Sequence, residues 1–149
     1  MFKKILVALD GSEHADHALN YALDLAKKYS ASLELLTVLH CEYISFDIDS
    51  MDFIEPQALG EYLDAQKAYC EKVLSQALEK VKKSEPCLKV STKVKEGRPA
   101  DEIVEAAKEG RFDLIVMGGR GIGGIKKFLL GSVSDRVADH AECPVLIVK

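Results

Sequence analysis

Six of the sixteen residues in MGGRGIGGIKKFLLGS (117–132) are glycine, and they follow the apolar run FDLIVM. Bare backbone where a strand stops can cradle an anion: without Cβ atoms, main-chain N–H groups approach a phosphate closely, and positive φ costs little. Known phosphate devices can be set against it. The Walker pattern GxxxxGK[ST] is absent. A GxGxxG pattern is met by Gly119, Gly121 and Gly124, but it follows the fourth strand-like run, not the first. No acidic residue at the end of a later strand could hold a ribose. What remains is Gly118-x2-Gly121-x9-Gly131-Ser132. Its last Gly-Ser pair falls at the start of a helix, where free N–H groups and the helix dipole favour an anion by about 0.3–1 kcal/mol when exposed and up to about 2 when partly buried. Asp10, followed by Gly11 and Ser12, is the clear candidate for metal or base work.

Each of these residues also has a plainer reading. The glycines could be a loose connector, Asp10 could cap a helix or end a strand, and Ser132 is read as an N-cap with or without a ligand. Arg120, Lys126 and Lys127 could touch phosphate but read better as a solvated loop face. His14 and His17, at i and i+3, lack a third ligand and read as surface histidines rather than a metal site. His40 and His140 have no partner that the sequence supplies.

The elements that must position these residues alternate along the chain. KILVAL (4–9) is nearly all apolar, as a strand covered on both faces is. A helix follows with Ala15, Ala18, Leu19, Ala22, Leu25, Ala26 and Tyr29 on one face and Ser12 as N-cap. LELLTVL (33–39) reads as a second strand and residues 40–58 as a long excursion without a clear period. Leu59, Tyr62, Leu63, Tyr69, Cys70, Val73, Leu74, Ala77 and Val81 then mark the apolar face of a helix that ends near KKSEP. LKVSTKV (88–94) is a third strand, and EGRPADEIVEAAKEG (96–110) a short helix with Pro99 in its first turn and Gly110 at its stop. FDLIVM (112–117), a helix over 132–141 N-capped by Ser132, and PVLIVK (144–149) complete the series. Five strands alternating with four helices predict a doubly wound, parallel α/β sheet. Ligands in such sheets sit beyond the carboxyl ends of the strands, where the strand order reverses. The unusual residues follow strands 1 and 4, which favours the order 3-2-1-4-5.

Composition bounds the partners. The chain of 149 residues, 48% hydrophobic, is long enough for one domain with a substantial core. Its formal net charge is −4, with 20 basic residues spread among 24 acidic ones, which argues against duplex nucleic acid as the main partner. The opening apolar stretch is broken by Asp10, short of a signal-peptide core, and no run approaches the roughly 20 residues of a membrane span. Cys41, Cys70, Cys87 and Cys143 are scattered without a CxxC pair, so a reduced cytoplasmic protein with buried thiols is expected.

The glycine spacing, the opening KILVALDGSEHADHAL, the EGRPADEIVEAAKE segment and the closing FDLIVMGGRGIGGIKKFLLGSVSDRVADHAECPVLIVK together resemble the universal stress protein family over the whole chain. The resemblance implies a 3-2-1-4-5 sheet, ATP binding with Mg2+ or Mn2+, and a homodimer. It implies that Asp10 lies near the ribose and the metal-bound phosphates, that Ala8 lines the pocket, and that Val38 offers main-chain contacts to adenine. Met117 and Gly118 would line the ribose side, and Gly121, Gly131, Ser132 and Val133 would hold phosphates. Gly119 departs from the small polar residue common there. The expected function is an ATP-binding stress-response or signalling dimer with slow or no hydrolysis, since no Walker lysine or arginine finger is apparent. A nucleotide-free dimeric scaffold and an NAD-linked enzyme are the alternatives. CPVLIVK, an apolar edge strand with nothing after it to cover it, is where the dimer would pair.

Overall fold

A computed structural model describes residues 1–40, 56–120 and 130–149. In chain order its elements are β1 (Lys4–Ala8), α1 (Glu13–Tyr29), β2 (Ser32–His40), α2 (Pro56–Ser84), β3 (Val90–Gly97), α3 (Pro99–Gly110), β4 (Leu114–Gly118), α4 (Ser132–His140) and β5 (Val145–Val148). The strands form one five-stranded sheet in the order β3-β2-β1-β4-β5, and every neighbouring pair is parallel. The doubly wound α/β fold and its order are those expected. Cys41 and Gly121 lie outside the described residues, as do Gly124, Lys126 and Lys127.

The near-continuous apolar character of β1 follows from its central place. Ile5 and Val7 face one core with Ala18, Leu19 and Ala22 of α1 and Val73, Leu74 and Val81 of α2. Leu6 and Ala8 face the other with Ala100, Ile103, Ala106 and Ala107 of α3 and Val137 of α4. A strand covered on both faces cannot alternate with polar residues, because each would be buried without water. The alanine-rich face of α1 lets that helix lie close to the sheet, and Ser12 caps it, its Oγ accepting from the Ala15 N–H at 3.2 Å.

Several sequence-based expectations shift. Gly131 caps α4 and Ser132 is its first helical residue, so Ser132 is not the N-cap. The Gly131 N–H donates to the Gly119 carbonyl at 2.7 Å, and this bond sets where the helix begins. The third strand runs Val90–Gly97 instead of 88–94; as an edge strand it has no fully buried residue, half of its positions being exposed and the rest half-buried. The apolar stripe of α2 buries only its second half, from Cys70 to Val81, while Tyr62 and Tyr69 are each 42% exposed. At 1.5 Å per residue this helix is about 43 Å long, whereas the longest strand spans about 30 Å, so its first half outruns the sheet. Cys70 is buried and Cys143 half-buried, but Cys87 is exposed, in the turn after α2. No helix among the described residues is long and apolar enough to cross a membrane.

Candidate functional site

At the carboxyl end of the sheet, where β1 and β4 send their following helices to opposite faces, lies a cavity of about 480 Å³. Asp10, Ala8, Val38, Met117, Gly118, Gly131, Ser132 and Val133 all line it. Those eight expected residues come from β1 and the turn after it, β2, β4 and the start of α4, elements far apart in the chain. The strand-order reversal expected to create a crevice does so here.

The cavity has an apolar part and a polar part. Ala8, Leu36, Val38, Ile103 and Met117 belong to the α3/α4 core and surface on its wall, with Pro99 beside them. The polar part is built from Asp10, Arg120, Gly131, Ser132 and Ser134. Gly131 caps α4 without a side-chain hydrogen bond. The first-turn N–H groups of an α-helix have no intrahelical acceptor, and they therefore offer donors and positive potential at this wall. Arg120 lines the cavity half-buried and has no acidic partner among the described residues.

The backbone around the cavity is closely tied. Asp10 Oδ1 accepts from the Ser12 N–H at 2.9 Å, while the other carboxylate oxygen has no hydrogen bond among the described residues. Gly119 donates its N–H to the Val148 carbonyl at 2.7 Å, and its own carbonyl accepts from Gly131 at 2.7 Å. The Ser134 hydroxyl, 2% exposed, lies 3.1 Å from the Gly119 carbonyl and 2.9 Å from that of Gly131, sharing one proton between them. Both polar groups of Gly119 thus hold β4, β5 and α4 together. Gly118 answers a packing demand: a Cβ there would come 2.8 Å from the main-chain carbon of His14 and 2.9 Å from the nitrogen of Ala15. The bare backbone here lets α1 cross the end of β4.

Among the described residues no three His, Cys, Asp or Glu side chains cluster to hold a metal ion. Among the described residues Asp10 is the single carboxylate lining the cavity, which suits a cation that takes most of its ligands from water and phosphate and not a cage built of protein. His17 is exposed as expected, but His14 is half-buried, and its Nδ1 has no partner among the described residues. The sequence reading missed Leu36, Pro99, Ile103, Leu130 and Ser134 as lining residues. Each carries an ordinary core, turn or cap signal, and only the assembled layers bring them to one wall.

The family model for the universal stress protein family matches residues 1–149. A universal stress protein of Bacillus subtilis strain 168 is 38% identical over 150 residues, covering 100% of both chains. Among solved structures, the universal stress protein UspA from Lactobacillus plantarum superimposes with a TM-score of 0.84 at 28% identity, over 99% of this chain and 98% of that one. A universal stress protein crystallised in complex with cAMP gives a TM-score of 0.72 at 28% identity, over 99% and 97% of the two chains. With this agreement of sequence and fold over the whole length, the chain belongs to the universal stress protein family.

Proposed function

We propose that the cavity binds an adenine nucleotide, ATP with Mg2+ or Mn2+, and that the protein is a single-domain, homodimeric stress-response or signalling module with slow or no hydrolysis. One observation carries the reading: an apolar slot of Ala8, Leu36, Val38, Ile103 and Met117 runs into a polar end made of Asp10, Arg120 and the α4 N-terminus. A flat base suits the first part and a chain of phosphates the second. The cAMP-bound relative supports an adenine nucleotide as the class of ligand. The Asp10 oxygen that has no hydrogen bond among the described residues would hold the cation, which would neutralise phosphate charge. An NAD reading fits less well, because Gly119, first of the three glycines in GxGxxG, already commits its N–H and carbonyl to Val148 and Gly131.

The test is thermal denaturation with ATP, adenosine and NAD, each with and without Mg2+. ATP at about 100 times its dissociation constant stabilises the fold by roughly 2.7 kcal/mol. At about 2–4 °C per kcal/mol this raises Tm by about 5–11 °C. NAD should do much less, and Arg120→Ala should weaken ATP more than adenosine. Turnover of the bound ATP should stay below about 1 s⁻¹, under the usual enzyme range. Absence of any ATP shift, with or without the metal, overturns the reading.

A further inference from the structure

We infer that Tyr69, on α2, is a positioning residue for this cavity: its hydroxyl fixes the Asp10–Gly11–Ser12 turn and so aims the Asp10 carboxylate. The ligand arm of this inference rests on the nucleotide reading above.

Tyr69 does not line the cavity, and it is 42% exposed where the next residue, Cys70, is 3% exposed. Its ring is therefore not a core filler. Its hydroxyl reaches 59 residues back along the chain and donates to the Asp10 main-chain carbonyl at 3.0 Å. That carbonyl belongs to a residue that lines the cavity, Asp10. The turn it closes is tightly specified: Gly11 stands at φ +84°, Asp10 Oδ1 accepts from the Ser12 N–H at 2.9 Å, and the Ser12 Oγ accepts from Ala15. The space an added Cβ on Gly11 would take is held by the Tyr69 hydroxyl, with Val73 Cγ2 at 3.0 Å. Glycine at 11 and tyrosine at 69 are thus two halves of one contact.

The contact also crosses the molecule. Val73, Leu74, Ala77 and Val81 of α2 pack in the α1 core, on the opposite face of the sheet from the α3/α4 core that walls the cavity. Without the Tyr69 bond, the Asp10 carbonyl is left to water. The turn then keeps only its local Asp10–Ser12 and Ser12–Ala15 bonds, and the carboxylate samples more orientations. A ligand that uses the carboxylate or its metal loses affinity, while a ligand seated only in the apolar slot does not.

The experiment compares the full chain with Tyr69→Phe, which keeps the ring and removes only the donor, and with Tyr21→Phe as a control on another exposed tyrosine. Amide correlation spectra follow Gly11 and Ser12, and calorimetry measures ATP with Mg2+ and adenosine. In Tyr69→Phe the Gly11 and Ser12 resonances move, and the Kd for ATP rises roughly 3–10-fold, the equivalent of about one net hydrogen bond, while that for adenosine changes less than about twofold. Tyr21→Phe moves neither. Unmoved Gly11 and Ser12 resonances, or equal losses for ATP and adenosine, overturn the inference. If the unmodified chain binds neither ligand, the nucleotide reading has failed, and the spectra alone decide whether Tyr69 holds the turn.

Discussion

Adding one methyl group at three glycines should give three different outcomes, each set by what surrounds the new atom. At Gly118 the Cβ of alanine would lie 2.8 Å from both the main-chain carbon and the Cβ of His14 and 2.9 Å from the Ala15 nitrogen. Two of these three atoms are backbone in the first turn of α1, so a rotamer change cannot relieve the overlap, and either the helix or the strand end must shift. Overpacking of this kind costs about 1–3 kcal/mol, which for a domain near this size lowers Tm by roughly 2–12 °C. At Gly119 the nearest atoms are Ile147 Cγ2 at 3.3 Å and the Val148 carbonyl at 3.4 Å, so a few tenths of an ångström of movement suffices and the effect should be small. At Gly60, exposed within α2, nothing lies within 4 Å. There alanine should stabilise by about 0.5–1 kcal/mol, because glycine carries an entropic penalty inside a helix. Differential scanning calorimetry of the three variants gives the order Gly60→Ala above parent, Gly119→Ala near parent, Gly118→Ala below. A Gly118→Ala protein that melts with the parent would refute the claim that bare backbone at this position serves the crossing of α1 over β4.

Acid stability should depend on Asp113. Its carboxylate accepts from the backbone N–H groups of Lys3 at 2.8 Å and Lys4 at 2.9 Å, and these bonds hold its pKa below the ordinary 3.8. A carboxyl group whose folded pKa is lowered stabilises the fold above 3.8 and loses that contribution as pH falls through the folded value. The urea midpoint of Asp113→Asn should therefore lie below that of the parent at neutral pH and converge on it as pH falls below 3.8 and through the folded value; a gap of constant size across the range would contradict this. Light scattering at micromolar concentration should give twice the chain mass of 16.4 kDa if β5 pairs with its twofold mate, and a mass of one chain would remove the dimer from the proposal.

The parts of the fold legible in the sequence were those where local pattern and tertiary demand agree. Ile5 to Ala8 read as a doubly covered strand because both layers need apolar atoms there. Ser12 read as a cap because its hydroxyl satisfies the Ala15 N–H within four residues. The N-cap of α4 falls one position before Ser132 because Gly131 carries no side-chain signal, and its bond to Gly119 spans twelve residues. Tyr69 falls on the apolar stripe of its helix and resembles a core residue by period alone. What makes it different, the Asp10 carbonyl across the turn, lies 59 positions away. Pro99 and Ile103 likewise carry helix-start and core signals, and their place at the cavity depends on which face of the sheet α3 covers.

The central position of β1 also has a consequence for how the protein is made. Ile5 pairs with Leu33 on one side and with Leu114 on the other. A ribosome adding about 5–20 residues per second delivers the first partner within a few seconds of β1 and the second only after roughly 5–20 s. Over that interval β1, β2 and β3 can assemble, but the β4 side of Ile5, Leu6, Val7 and Ala8 presents an unpaired, wholly apolar edge, open to any other nascent strand. Slow decoding anywhere between residues 41 and 113 would lengthen the exposure without altering a single native contact, so synonymous changes in that stretch would alter the yield of folded protein while leaving its melting temperature where it was.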